Sequence, residues 1–273
     1  MAKLYIVGTP IGNLADITKR AVDTLSGVDV VACEDTRHSL KLLNNLGIKK
    51  PLISCHKHNE KEAAQKICGL ISDGKSVALI TDAGMPAVSD PGAAVVKECR
   101  ERGLKIECVP GASALTAAVA LCGLEGAGFA FLGFMPQKRG DKVRFLSKYA
   151  SLDLPLVFYC APHDIINDAQ VLLEVLGDRA VYVAHELTKI HESVIKTTLK
   201  NFDIGEPKGE YVLIVEGAKD ERDPLLELTL EEHIKRLIDG GMDKKSAVKE
   251  AAAKRRIPKN QAYQVALEIK DGN

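Results

Sequence analysis

The stretch Thr81 to Gly92, TDAGMPAVSDPG, contains two glycines and two prolines directly after a short apolar run. That run, Ser76 to Ile80 (SVALI), is aliphatic and typical of a buried strand. Because glycine and proline end strands and shape turns, the stretch predicts a tight loop at the carboxyl end of this strand. Ser89, Asp90 and Pro91 have the residue types favoured where a helix begins. The order of strand, loop and helix predicts an open α/β sheet, whose ligands bind beyond the carboxyl ends of the strands.

Similar loops follow other predicted strands of the first 122 residues. Leu4 to Val7 leads into a loop with Gly8, Pro10 and Gly12, and Leu104 to Val109 leads into PGASA. Any one of these loops could be an ordinary turn between a strand and a helix, because such turns contain the same residue types. Several such loops at one edge of a sheet, however, favour a small-molecule site. The first loop matches neither a GxGxxG dinucleotide fingerprint nor a Walker loop, so it does not indicate a phosphate site.

Two further strand ends carry polar residues. The segment after Val28 to Cys33 reads EDTRH (34–38), and the segment after Leu52 to Ser54 reads CHKHNE (55–60). Charged side chains at these positions either form a polar site or cap the helices that follow. His56 and His58 could ligate a metal, but no third ligand is spaced to join them, so we expect no metal.

Composition limits the classes of function. Lys plus Arg equals Asp plus Glu at 37 each, so no global field draws the 273-residue chain to nucleic acid or to a membrane. Aromatic residues are 4% and tryptophan is absent, which argues against a base-stacking platform. The seven cysteines never form CxxC, which indicates reduced thiols in a cytoplasmic protein. No apolar run reaches the roughly 18 residues that would cross a bilayer.

The chain is long enough for more than one domain. We expect an α/β domain over 1–122, a second α/β domain over 123–217 that begins with the linker GLEGAG, and a helical domain over 224–273 after a charged hinge. Residues 243–260 contain seven Lys or Arg against two acids. Such a patch is either a solvated helix face or a contact for the phosphate backbone of RNA. The candidate RNA contacts are Lys244, Lys245, Lys254, Arg255, Arg256 and Lys259.

A series of motifs carries a family resemblance: LYIVGTPIGNLADIT (4–18), EDTRHS (34–39), HNE (58–60), TDAGMPAVSDPG (81–92), VPGASA (109–114), LGFMP (132–136), ELTK (186–189) and KGEYVLIVEG (208–217). In this order and spacing they resemble the ribosomal RNA small-subunit methyltransferase I family. The resemblance covers about residues 3–217 and continues more loosely through the tail. It implies two α/β domains of the tetrapyrrole-methylase type with the cofactor cleft between them, and a small C-terminal helical domain.

The resemblance also implies an activity. Members use S-adenosylmethionine to methylate the ribose 2′-hydroxyl of a cytidine in the decoding region of 16S rRNA, and they act as homodimers on the small ribosomal subunit. Two other functions stay open. A methyltransferase acting on a tetrapyrrole-like small molecule would keep the cofactor cleft but would leave the basic tail unexplained. A non-catalytic RNA-binding assembly factor would not need the cofactor loops.

Candidate site residues follow from the family's pattern. Those implied to line the cofactor cleft are Pro10, Asp82, Met85, Ser113, Ala114, Tyr159 and Cys160, with Leu187, Val212 and Leu213 as weaker candidates. For the chemistry, Asp35, His58 and Glu60 are candidate bases, while Arg37 and Lys189 are candidate partners of a phosphate or a forming alkoxide. A cap or a structural ion pair is the alternative for each. The chain departs from the family in one turn, where CAPHD (160–164) replaces a typical Glu-Ser/Ala-Pro-His-Arg run.

Overall fold

The computed structural model describes residues 2–124, 128–218, 224–255 and 257–268. The chain divides into two compact units, Met1–Ala218 and Lys219–Asn273. The first unit contains two five-stranded sheets. The predicted linker is described only in part, because residues 125–127 lie outside the described ranges, as do most of the hinge and Arg256. A domain boundary at 122/123 stays a prediction.

The first sheet is parallel and has the order β3-β2-β4-β1-β5. Its strands are β1 (Leu4–Val7), β2 (Val30–Cys33), β3 (Leu52–Ser54), β4 (Val77–Leu79) and β5 (Ile106–Val109). The helices between and after them are α1 (Lys19–Gly27), α2 (Thr36–Asn45), α3 (Glu60–Ser72), α4 (Ala93–Glu101) and α5 (Ala114–Cys122). Because parallel strands all end at the same edge, the loops after β1, β4 and β5 gather there, as the sequence predicts.

The second sheet is mixed and has the order β6-β7-β10-β8-β9. Its strands are β6 (Ala130–Phe134), β7 (Leu156–Cys160), β8 (Ala180–His185), β9 (Ser193–Thr198) and β10 (Tyr211–Val215), and its helices are α6 (Arg139–Ser147) and α7 (Ile165–Leu176). One face packs with residues of α6 and α7, and the other packs with residues of α5. Helix α5 therefore follows a strand of the first sheet but covers the second.

Helix α4 begins later than the sequence suggests. Its first residue is Ala93 and its N-cap is Gly92, whose φ of 132° lies outside the range that side chains favour. Ser89 and Asp90 belong instead to the preceding loop. The expectation of a cap at Ser89 was wrong because the capping acceptor comes from another helix: the carboxylate of Glu60 accepts hydrogen bonds from the backbone N–H groups of Gly92 (2.7 Å) and Ala94 (3.0 Å).

The second unit contains α8 (Pro224–Glu227), α9 (Leu230–Asp239), α10 (Lys244–Arg255) and α11 (Lys259–Glu268). A capping box formed by Thr229 and Glu232 begins α9. The guanidinium of Arg255 donates to Nδ1 of His233 (3.0 Å) and to the backbone carbonyl of Leu225 (2.8 Å). Arg255 therefore joins the end of α10 to the segments around α8 and α9.

None of the helices in the described part of the chain combines the length and apolar character needed to cross a membrane. Within the same residues, no group of three or more His, Cys, Asp or Glu side chains is arranged to hold a metal ion. His56 and His58 contact each other edge to face, with ring centroids 6.0 Å apart.

Candidate active site

A cavity of about 450 Å³ lies between the two sheets of the first unit. Its lining comes from the loops after β4 and β5 on one side, and from β10 and the ends of β6, β7 and β8 on the other. Most of the predicted cofactor residues line it, namely Met85, Ser113, Ala114, Tyr159, Cys160 and Leu187. The volume falls within the roughly 300–1,000 Å³ of typical small-molecule sites.

A second cavity of about 350 Å³ adjoins the first and shares Ile11, Ala83 and Glu210 with it. Pro10 and Asp82, predicted to contact the cofactor, line this second cavity. One buried oxygen of Asp82, Oδ1, has no hydrogen-bond partner within the described residues. A buried acceptor without a donor is unfavourable, so Asp82 is well suited to accept a hydrogen bond from a bound molecule.

Leu213 does not line either cavity, and this expectation was wrong. It is fully buried in the core between the second sheet and helices α6 and α7. Successive side chains of a strand point to opposite faces, so the adjacent Val212 reaches the first cavity instead.

Two glycines bring the loops after β1 and β5 into close contact. A Cβ atom on Gly111 would lie 2.9 Å from the backbone carbon of Gly8, and a Cβ on Gly8 would lie 2.6 Å from the backbone nitrogen of Gly111. The loops continue into Ile11 and Ser113, which line the first cavity. Neither glycine lines the cavity, so their close approach acts on the site by fixing the spacing of the two loops that carry Ile11 and Ser113.

Aromatic side chains form another wall of the first cavity. The rings of Phe131 and Phe134 meet Tyr159 edge to face, with centroids 5.0 and 5.5 Å away. The hydroxyl oxygen of Tyr159 accepts a hydrogen bond from the backbone N–H of Leu115 (3.3 Å), and burial raises the pKa of Tyr159, so the hydroxyl stays protonated at neutral pH. Phe134 lines the cavity yet is 56% exposed. Its motif, LGFMP, was recognised, but the residue itself was not singled out.

Acidic side chains surround Thr81 beside the first cavity. Burial raises the pKa of Asp90, which lines the cavity, and the negative charge of Asp82 raises it further. Burial also raises the pKa of Glu34, together with the charges of Asp90 and Asp82. The hydroxyl of Thr81 donates to Glu34 (3.4 Å). Of these acids only Asp90 lines the first cavity, where its carboxylate favours a cationic ligand.

Asp35 and Arg37 pair with each other at the surface. Asp35 is the N-cap of α2 and accepts a hydrogen bond from the backbone N–H of Arg37 (2.8 Å), while the Arg37 guanidinium lies 3.0 Å from its other oxygen. The hydrogen bonds from Arg37 lower the pKa of Asp35 to about 2. A carboxylate with so low a pKa is a weak general base, and neither residue lines either cavity.

His58 and Glu60 also have local partners. The backbone N–H of His58 donates to Nδ1 of His56 (3.2 Å), and the His58 side chain is exposed outside both cavities. Glu60 caps α4, whose preceding loop lines the first cavity. These contacts favour the structural alternative for both residues.

Lys189 joins the two halves of the site. Its ammonium contacts Glu186 (2.7 Å) and Glu210 (2.9 Å), and its aliphatic stem covers Gly12, where a Cβ would lie 2.6 Å from Lys189 Cγ. Burial alone would lower the pKa of Lys189, but the hydrogen bonds to both carboxylates outweigh it and leave the pKa raised. With two acids as partners, Lys189 has no uncompensated charge for a phosphate.

Comparison with known proteins agrees with this architecture. Residues 3–203 match the family model described as Tetrapyrrole (Corrin/Porphyrin) Methylases. The chain is 39% identical to "Ribosomal RNA small subunit methyltransferase I" of Bacillus subtilis over 96% of its own length and 93% of that protein. The chain belongs to the ribosomal RNA small subunit methyltransferase I family. The protein of the same name from Thermotoga maritima is 42% identical, covering 80% of this chain and 99% of the relative.

Solved structures share the fold of this methyltransferase family at lower identity. The methyltransferase CobJ superposes with a TM-score of 0.63 at 17% identity, covering 80% of this chain and 95% of that one. Uroporphyrin-III C-methyltransferase from Thermus thermophilus, complexed with S-adenyl homocysteine, gives 0.56 at 20% identity, covering 79% and 97%. These structures establish the two-sheet fold predicted from the sequence.

Proposed function

We propose that this protein transfers a methyl group from S-adenosylmethionine to the ribose 2′-hydroxyl of a cytidine in the decoding region of 16S rRNA, within the small ribosomal subunit. The observation that carries the proposal is the first cavity, which lies between the two sheets and combines small residues of the loops after β4 and β5, the acidic Asp90, and the aromatic Phe134 and Tyr159. Support for the RNA substrate comes from relatives named as ribosomal RNA methyltransferases along nearly the whole chain.

The residues of the first cavity fit this cofactor. Gly84, Ser113 and Ala114 are small residues of the lining that let a carboxylate approach the backbone, and Phe134 with Tyr159 offers apolar surface for a purine. Asp90 in the first cavity and Asp82 in the adjoining second cavity are carboxylates whose negative charge favours a cation. When bound, S-adenosylmethionine supplies an electrophilic methyl group on a sulfonium.

The protein's own contribution is chiefly alignment. The first cavity would hold the methyl donor, the adjoining second cavity would admit the acceptor, and the shared wall of Ile11, Ala83 and Glu210 lies between them. Holding two reactants in this way removes much of the entropic cost of their encounter. None of Asp35, His58 and Glu60 lines either cavity, so we do not assign the base to them.

The proposal is tested with labelled S-adenosylmethionine and small subunits from cells that lack the enzyme, followed by identification of the labelled nucleoside. The expected product is 2′-O-methylcytidine. Subunits from cells that contain the enzyme are the control and should accept little label. If the cofactor binds but subunits and naked RNA stay unlabelled, the proposal fails, and label in a tetrapyrrole instead would identify the small-molecule alternative.

Two variants of Glu60 distinguish a structural role, as the cap of α4, from a catalytic role as the base. Glu60→Ala removes the acceptor for Gly92 and Ala94, so we expect a decrease of about 1 kcal/mol in the free energy of unfolding and weaker cofactor binding through the loop before α4. Glu60→Gln keeps an acceptor oxygen and should retain most of the activity. Loss of methyl transfer in Glu60→Gln, with unchanged Tm and cofactor affinity, would instead identify Glu60 as the base.

We also propose that the second unit binds RNA, with a smaller set of residues than the sequence suggested. Arg255 is engaged by the fold, and Lys254 pairs with Glu250 (3.3 Å). Lys244 also has an interaction partner, and Arg256 lies outside the described residues. Lys245 on α10 and Lys259 on α11 are exposed, and their side chains have no hydrogen bond or ion pair in the described part of the chain, so they are the candidates that remain.

Reversing the charge of Lys245 and Lys259 together should weaken binding of small subunits. We expect KM for subunits to rise about tenfold at low salt and the difference to shrink as salt is added, because the contacts are electrostatic. The control is Lys61→Glu with Lys66→Glu, two exposed lysines on α3. Equal KM values for both double variants would contradict the RNA role.

We further propose a homodimer, which sedimentation equilibrium would test.

A further inference from the structure

The second cavity has a basic side that the cofactor does not require. His38, Lys41 and Asn45 line it from helix α2. Their spacing of three and four residues places them on one face of the helix. All three are exposed, and the side chains of His38 and Lys41 have no hydrogen bond or ion pair within the described residues.

Two other charged groups of this cavity, Lys189 and Glu210, do have ion-pair partners. Lys189 and Glu210 neutralise each other at 2.9 Å, with Glu186 as a further partner of the lysine. Asp82 lies on the side next to the first cavity, in the loop after β4. The cavity therefore has the ammonium of Lys41 and the imidazole of His38, both hydrogen-bond donors, on the α2 side and the carboxylate of Asp82 in the loop after β4. A ligand that matches both sides has an anionic group at one end and a hydroxyl donor at the other.

We propose that the second cavity is the subsite for the target nucleotide of the RNA, with His38 and Lys41 holding the adjacent phosphate and the ribose lying toward Asp82 and the shared wall. This inference rests on the proposed function. A phosphodiester supplies the anion, and the ribose of an internal nucleotide supplies one hydroxyl donor, its 2′-hydroxyl. The volume of about 350 Å³ is sufficient for one small ligand. The arrangement directs the 2′-hydroxyl toward the first cavity, which is the geometry that methyl transfer needs.

The test is the double variant His38→Ala with Lys41→Ala. The variant loses both proposed hydrogen bonds to the phosphate, so kcat/KM for small subunits should fall by roughly a hundredfold. The affinity for S-adenosylmethionine, measured by calorimetry, should stay unchanged because neither residue lines the first cavity. Lys41→Arg alone keeps the charge and should retain most of the activity. The matched control is Lys61→Ala with Lys66→Ala, which removes two exposed cations from α3.

A binding measurement makes the test independent of turnover. The fluorescence anisotropy of a labelled decoding-region oligonucleotide, in the presence of S-adenosylmethionine, should report weaker binding by the double variant than by the control. The salt dependence of log Kobs should become shallower by about 0.7 for each phosphate that the variant no longer neutralises. Unchanged RNA binding would overturn the subsite, and an equal loss of cofactor affinity would show that the second cavity belongs to the cofactor. If the unmodified protein binds the oligonucleotide but labels no RNA, the proposed function fails while the subsite is still decided by binding.

Discussion

Replacing Asp168 with alanine is expected to reduce the free energy of unfolding by about 3–5 kcal/mol, because it leaves a buried ammonium without its partner. Lys142 on α6 and Asp168 on α7 form an ion pair whose side chains are 1% and 4% exposed. Burial raises the pKa of Asp168, and the hydrogen bond from Lys142 offsets part of that effect. Water cannot replace the missing carboxylate at so buried a position.

The matched comparison is Lys142→Met with Asp168→Leu, which removes both charges and fills similar volume. This double variant should be much closer to the unmodified protein than either single variant, because a buried pair often contributes little net stability. Urea unfolding at pH 7 provides the measurement. As a surface control, Glu101→Ala breaks the exposed pair with Lys97 and should change little. If Asp168→Ala and the double variant are destabilised equally, the charge argument is wrong.

The buried pair of Lys142 and Asp168 also lies beside Cys160, where the chain departs from the family pattern. Cys160 lines the first cavity and contacts Asp168 from β7, and burial raises the pKa of its thiol. The thiol is therefore neutral and adds no charge beside Asp168. The glutamate that the resemblance implies at this position would place a second carboxylate there. This chain instead balances one buried cation with one buried anion.

The loops with glycines and prolines after β4 and β5 are visible in the sequence, and parallel strands bring such loops together. The family resemblance, rather than the loop pattern, implied the individual residues Met85, Ser113 and Ala114, which line the first cavity. Leu213 was misplaced because a shift of one residue along a strand moves a side chain to the opposite face. No local pattern distinguishes that position from Val212.

Partners distant in sequence were harder to predict. A carboxylate near a strand end can act as a base or as a cap, and the contacts of Glu60 with Gly92 and Ala94, which favour the cap, have no signal in the sequence around it. The pairing of Lys142 with Asp168 depends on the packing of two helices and has no signal in either segment. The basic face of α2 is different, since the spacing of His38, Lys41 and Asn45 is visible once the helix is assigned.

Gly111→Ala is expected to lower the affinity for S-adenosylmethionine by at least about tenfold and to destabilise the fold by about 1–3 kcal/mol. The added Cβ would lie 2.9 Å from three backbone atoms of Gly8, and backbone cannot rotate away as a flexible side chain can. The loops after β1 and β5 must then separate, which displaces Ser113 and Ile11 at the first cavity. Gly69→Ala is the control, because its Cβ meets nothing within 4 Å and alanine is favoured over glycine within α3. Calorimetric titration with the cofactor, beside thermal unfolding, measures both effects. If Gly111→Ala bound the cofactor as tightly as Gly69→Ala, the close contact of the two loops would not be what shapes the cofactor site.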